Sequence, residues 1–237
     1  MPENIIHPAA LRLFASLRQR QYSRGAAIIK TALENHSPEY IHLNIMLPVI
    51  GLLASQLARG LMAPDTGDAA FQFLSEQLLP VRAKICRRPP LGRKLLATTL
   101  TGEMQAVGLD VICDWLWRDG WDILRPERNA GETSIVNMVL QNQPDILAFS
   151  CTLPRQVAIA RRIIRTVRRR GYTHKIWIGG MAINAYPELL QKSLADDTAP
   201  DIITFTRQLA KAFHYSTGTP AQLNPSLRPT STDSDPA

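Results

Sequence analysis

The sequence predicts an α/β protein: an N-terminal four-helix bundle, then a parallel sheet of five strands with helices on both faces. Three observations carry that reading. Apolar residues recur at three and four positions from about Leu11 to Ile85. From Lys94 onward, short apolar runs alternate with helix-period stretches. Between the two rhythms lies Cys86-Arg87-Arg88-Pro89-Pro90-Leu91-Gly92, a stiff polar joint with the composition of a linker.

Four helices are expected near 8–20, 22–35, 38–59 and 66–84. Ser37 is placed to cap the third, with Pro38 at its first position and Glu39 in its first turn. Pro48 should kink that helix, and Asp65 is a candidate cap for the fourth. Strands are expected at 94–99, 121–124, 145–149, 175–178 and, weakly, 194–198. Helices should fill 105–119, 131–142, 154–171, 183–193 and 201–214. The domains are therefore a helical cap at 8–85 and an α/β unit at 93–214. Residues 215–237 are rich in Pro, Ser and Thr with little to bury, so a disordered tail is expected.

Composition narrows the class. The chain has 237 residues, 45% hydrophobic and 20% charged, which suits a globular protein with a sizeable core. Lys and Arg exceed Asp and Glu by 27 to 20, a net +7, too modest to choose between a nucleic acid and an acidic protein as partner. No run of 18 uninterrupted apolar residues occurs, so no transmembrane helix is expected. The N-terminus lacks the pattern of a secretory signal. The cysteines Cys86, Cys113 and Cys151 are odd in number and form no CxxC. A soluble cytoplasmic protein is the expectation.

Ligands of open α/β sheets bind beyond the carboxyl ends of the strands, where the strand order reverses. Candidate residues lie at three such ends: Glu103, Gln105 and Gly108 after the first strand, Ser150 and Thr152 after the third, and Gly179 with Gly180 after the fourth. The hydroxyls can donate and accept, and paired glycines let a ligand approach bare backbone. Taken singly each signal is weak, since Gly-Gly after a strand is commonly turn chemistry. Their spacing says more: 41 residues separate Gly108 from Ser150, and 26 separate Thr152 from Gly179.

With those intervals the sequence resembles the cobalamin-binding domain family, whose signature is Asp-x-His-x-x-Gly, then Ser-x-Leu, then Gly-Gly at similar distances. The segment 8–85 is similar to the helical cap that precedes this domain in methionine synthase, corrinoid carriers and cobalamin photoreceptors. The resemblance spans about 8–214 and implies a flavodoxin-like (Rossmann-like) sheet. It also implies a tetrapyrrole pocket holding a nucleotide arm at Ser150, Thr152, Gly179 and Gly180.

The pattern departs where the family carries its Asp and His, here Glu103 and Gln105. In the family that His coordinates cobalt from below, and an amide is a far poorer ligand than imidazole. Light-sensing relatives also have a Trp and a Glu-His pair where this chain shows Leu57 and Ala69-Ala70. The resemblance therefore leaves three options for the pocket: cobalamin without the usual lower His, heme, or no cofactor. A short chain with a helical cap and a degenerate motif looks like the AerR/PpaA-type antirepressors of photosynthesis genes and the related heme-containing sensor domains. That likeness implies a non-enzymatic regulatory sensor of light or redox state, acting on a transcriptional repressor or other regulatory protein. The alternative is a corrinoid carrier or methyltransferase-associated cobalamin-binding protein.

Other features have a functional and a plain reading. The helix 154–171 carries Arg155, Arg161, Arg162, Arg165, Arg168, Arg169 and Arg170: a docking surface for an acidic partner or DNA phosphates, or a solvated outer face. No helix-turn-helix supports sequence-specific DNA reading. His42 is a core histidine or a ligand to a metal centre from above; His36 and His174 should face water. Cys113 reads as a buried small hydrophobe. Cys151 is a packed bystander or a redox-sensing or heme-ligating thiol. Trp115, Trp117, Trp121 and Trp177 read as core or interface aromatics.

Overall fold

A computed structural model describes residues 6–100, 106–127 and 129–217. Its N-terminal half is helical. Helix α1 (Pro8–Arg18) is capped by His7, whose ring nitrogen accepts from the Ala9 N–H, and α2 (Tyr22–Asn35) lies against it. Ser37 caps α3 (Pro38–Ile41) through the Tyr40 N–H at 3.2 Å. A π-helical segment, His42–Met46, then runs without a break into α4 (Leu47–Ala58). Pro48 has no N–H to donate to the carbonyl four residues back. The wider π turn takes up that mismatch, so the expected kink is replaced by a local change of pitch. Helix α5 (Pro64–Arg82) starts from Ala63 with Pro64 at its first position. Asp65 is therefore not its cap, and instead pairs with Arg20 and with the Thr66 N–H.

The continuous helix Pro38–Ala58 is long and apolar enough to cross a membrane by length and composition, which the count of uninterrupted apolar residues missed. Here its buried residues, Ile41, Leu43, Ile45, Met46, Val49 and Leu53, lie in the core of the helical half.

The C-terminal half is a parallel sheet in the order β2-β1-β3-β4, from β1 (Lys94–Thr99), β2 (Asp122–Leu124), β3 (Ile146–Ser150) and β4 (Lys175–Gly179). β1 sends its crossover helix α6 (Val107–Arg118) to β2 on one side, while β3 and β4 stack on the other. The order therefore reverses between β1 and β3. One face of the sheet is covered by α7 (Glu132–Asn142), α8 (Pro154–Arg169), α9 (Met181–Ala185) and α10 (Leu189–Ser193). The other is covered by α6 and α11 (Ile202–Phe213).

Among the described residues the sheet has four strands, not five. The weak fifth segment is reduced to one bridge, Trp177 with Asp197. Leu194 sits at φ +69; the segment keeps backbone bonds to β4, from the Asp196 N–H to the Ile176 carbonyl and from the Ile178 N–H to the Asp197 carbonyl, but the Ile176 N–H goes to the Asp196 carboxylate and the ladder extends no further. The expected helix 183–193 is likewise two short helices parted by Pro187. Residues 218–237, the rest of the expected tail, lie outside the described residues.

The two halves meet across α6. Val107, Val111 and Trp115 are buried in the core of the helical half, whereas Leu109, Cys113 and Leu116 on the same helix are buried against the sheet. A helix apolar on two faces belongs in the middle of a molecule.

Candidate functional site

The last residues of three neighbouring strands lie side by side. Thr99 of β1 is in register with Ser150 of β3, and Ser150 with Gly179 of β4. All three are partly exposed, although the strand residues behind them are buried. The sequence candidates Ser150, Thr152, Gly179 and Gly180 thus come together at the point where strand order reverses. Gly108 stands in the first turn of α6, where an added Cβ would meet nothing within 4 Å. Glu103 and Gln105 lie outside the described residues.

The loops over this row are tied to each other. The Cys151 N–H donates to the Gly179 carbonyl at 2.9 Å, and the Ala182 N–H donates to the Cys151 carbonyl at 3.0 Å. Gly180 adopts φ +99, and a Cβ there would lie 2.5 Å from the Cys151 oxygen. That glycine is needed for the two loops to approach. Gly179 is not compelled in the same way, since its Cβ would meet only the Ala199 oxygen at 3.5 Å. The N–H groups of Thr152 and Leu153 both donate to the buried Gln156 side chain, at 2.8 and 2.9 Å, which satisfies the start of α8 from within. Cys151 is fully buried, so its thiol is packed inside rather than presented to solvent. Leu153 and Met181, by contrast, are 37% and 40% exposed and flank the row. Hydroxyls, bare backbone and two exposed apolar side chains make a surface for a ligand that is partly polar and partly flat and apolar.

Beside this crest, a cavity of about 440 Å³ opens between α5, α6 and the ends of β1 and β2. Its lining includes Thr99, Cys113, Asp110, Asp114, Arg82 and Arg125. Arg125 donates to Asp110 at 2.7 Å and to the Cys113 sulfur at 3.2 Å. Burial pushes the Cys113 thiol up to about 11, against the pull of Arg125. Asp114 pairs with Arg82 through one oxygen, while its other oxygen is buried with no hydrogen-bond partner, 3.9 Å from Nε2 of His42. Burial raises the Asp114 carboxyl to about 6, with Arg82 opposing. His42 is fully buried and its Nδ1 accepts from the Trp115 indole at 3.2 Å, which leaves the proton of the neutral ring on Nε2. Its imidazole is held down to about 4 by burial, with Glu39 pulling the other way.

Sequence reading missed Asp110 and Asp114. Their spacing of four on α6 was visible, and on an isolated helix it reads as a solvated face; Arg82 from α5 closes over it only in the folded chain. Among the described residues no group of three or more His, Cys, Asp or Glu is arranged to hold a metal ion.

Residues 93–203, just under half of the chain, match the model for the B12 binding domain. The α/β segment is thus similar to B12-binding domains. The matched segment spans all four strands and carries the aligned ends described above. No curated protein matches in sequence. Among solved structures, the Methanosarcina barkeri monomethylamine corrinoid protein is similar at a TM-score of 0.69 and 14% identity, over 84% of this chain and 96% of that one. At that identity the likeness is one of fold, and it reaches beyond residues 93–203 into the helical half. A cobalamin-binding protein from Desulfitobacterium hafniense DCB-2 aligns at 13% identity with a TM-score of 0.47, over 88% of this chain and 99% of that one. The methanol:cobalamin methyltransferase complex MtaBC from Methanosarcina barkeri aligns at 10% and 0.48, over 91% and 82%.

The crest fits a corrinoid in part. Its register of Thr99, Ser150 and Gly179, the space at Gly108 and the exposed Leu153 and Met181 suit a polar arm and the edge of a flat ring. For cobalt, the sequence between Leu100 and Gly108 offers Glu103 and Gln105 but no imidazole.

Proposed function

We propose that this chain is a cobalamin-binding protein of the corrinoid-carrier kind, working with a methyltransferase rather than catalysing a reaction of its own. The observation that carries the reading is the row Thr99, Ser150, Gly179, aligned at the reversal of strand order inside a B12-type domain. Ser150 and Thr152 would bind the nucleotide arm through their hydroxyls, Gly179 would let it lie on backbone, and Leu153 with Met181 would shield the ring edge from water. When bound, a corrinoid supplies the exchange of a methyl group at cobalt. The chain's own part is to bind it, orient it and offer it to a partner.

A second reading is favoured by Glu103 and Gln105. A carrier uses the lower ligand to tune cobalt between oxidation states, and these residues supply no imidazole. That favours a regulatory sensor in which a cobalamin or a heme alters how the helical half packs, and so how a transcriptional repressor is engaged.

One experiment addresses both. The purified chain is incubated with hydroxocobalamin or with hemin, passed through a desalting column and examined by visible absorption. Cobalamin should be retained at one equivalent, and Ser150→Leu, which puts bulk into the row, should lose it while keeping the fold. Retention of hemin alone, or of neither, rejects the carrier reading. Methyl transfer from the loaded protein to an added corrinoid methyltransferase supports it; a light-dependent spectral change without transfer supports the sensor.

A further inference from the structure

Helix α8 carries more charge than solvation requires. From Arg155 to Arg170 every exposed residue except Ala158 is arginine, and the helix contains no acidic residue. Its apolar stripe of Val157, Ala160, Ile163, Ile164 and Val167 is buried against the sheet, so the arginines form the outer surface. Two of its guanidinium groups have structural work. Arg162 pairs with Glu132, and Arg168 binds Asp196 at 2.6 Å together with the carbonyls of Tyr172 and His174. Arg155, Arg161, Arg165, Arg169 and Arg170 have no ion pair among the described residues.

This arrangement opposes folding. Arg161, Arg165 and Arg169 follow one another at intervals of four, and like charges at that spacing destabilise a helix. Arg155 puts a cation at the N-terminal end, where the helix dipole is already positive. A surface shaped only for solubility mixes both signs. Local preferences broken without a gain in packing mark a functional surface.

We propose that the outer face of α8 binds the phosphate backbone of double-stranded DNA without reading its sequence. The chemistry of the face selects that partner. Guanidinium groups match phosphate oxygens with paired donors. An acidic protein partner would need a desolvated apolar or aromatic anchor at the centre of the patch, and the only non-arginine there is Ala158. A single strand would need aromatic side chains on which bases stack, and the face has none. An RNA duplex is recognised largely through its 2′-hydroxyls; the one hydroxyl on α8 itself, that of Thr166, is already donated to the Arg162 carbonyl. Helix α8 also packs against α7 and α10, which suits lying along the backbone rather than entering a groove. This proposal does not depend on the corrinoid reading.

The test is fluorescence anisotropy of a labelled random-sequence DNA duplex titrated with the full chain over a range of salt concentrations. If each of the five arginines displaces a counterion, log K against log salt falls with a slope of about −4 to −5. The variant R161Q/R165Q/R169Q should lower that slope by about three units and weaken binding at low salt by at least about tenfold. Its unfolding midpoint should hold or rise, because like charges have been separated. R12Q/R18Q/R24Q removes the same charge from the helical half and should leave the slope within about one unit. Equal losses in the two triple variants would reduce the effect to net charge and overturn the proposal. So would a wild-type slope shallower than about −1, or tighter binding to single-stranded DNA, to polyglutamate or to vesicles of anionic lipid than to the duplex.

Discussion

His42 and Asp114 face each other across 3.9 Å in the joint between the halves, each with a buried polar atom that no hydrogen bond satisfies. Their acidities move in opposite directions. Asp114 rises from 3.8 to about 6, so the native state binds the extra proton between those values, and stability is present below them and lost as pH climbs through 6. His42 falls from 6.5 to about 4, so the unfolded chain binds the extra proton there, and stability is gained as pH rises through the same range. Each shift is worth about 3 kcal/mol, and the two nearly cancel. Wild-type stability should therefore be almost flat from about pH 4 to 6 as far as this pair decides it. Asp114→Asn removes one side of the balance. Its melting temperature should rise with pH between about 4 and 6.5, and at pH 7 it should gain about 1–2 kcal/mol, since Arg82 is half exposed and loses little. Thermal melts across that range check both: a melting temperature falling with pH in the variant would show that His42 is not held neutral by burial, and no gain at pH 7 would show that the Asp114 carboxyl is not strained. At this scale His42 was legible as a core histidine, because it sits among apolar neighbours in sequence. Asp114 was not, because the helix that covers it comes from another part of the chain.

At the scale of elements, two of the candidate glycines, Gly180 and Gly108, play different parts. Gly180 is held at positive φ against the backbone of Cys151. Gly180→Ala should cost about 2–3 kcal/mol and shift the chemical-denaturation midpoint whether or not a ligand is present. Gly108 has open space around it and lies in the first turn of α6. Gly108→Ala should leave the fold intact or stabilise it by up to about 1 kcal/mol, and should reduce retention of hydroxocobalamin if the corrinoid packs on that turn. Unchanged retention would move the ligand away from α6. Strands β1, β3 and β4 were readable because each is a short apolar run bounded by polar residues. The fifth strand shrinks to one bridge because the carboxylates of Asp196 and Asp197 take the N–H groups of Ile176 and Thr198 that a longer ladder would need. Helix α8 was readable in full, as Pro154 starts it and a clean apolar stripe orients it.

Across the whole molecule, α6 is shared between two cores. Trp115 is 1% exposed, belongs to the core of the helical half and donates to His42, although its helix covers the sheet. The charged residues Arg118 and Glu39 join the halves a second time at 3.2 Å, with Arg118 almost fully buried. The halves should therefore unfold together. Trp115→Ala should cost about 3–5 kcal/mol and shift one transition, with circular dichroism and tryptophan fluorescence melting at the same temperature. Two separated transitions would show that the halves are independent. Coupling of this kind is also what the sensor reading requires, because a ligand at the strand ends can influence the helical half only through contacts that both share.

The sequence alone determined the α/β class, three of the strand ends and the residues that meet there, because each depends on local periodicity and on spacing along the chain. It also showed that Glu103 and Gln105, and no histidine, stand between Leu100 and Gly108, since that is a matter of residue identity. The tertiary structure alone decided that Thr99, Ser150 and Gly179 share one register, that Gly180 is needed for loop contact, that the sheet stops at four described strands, and that His42 and Asp114 are enclosed together. Those outcomes depend on which distant surfaces cover one another, and burial of that kind is set by packing between segments far apart in the chain rather than by the pattern within any one of them.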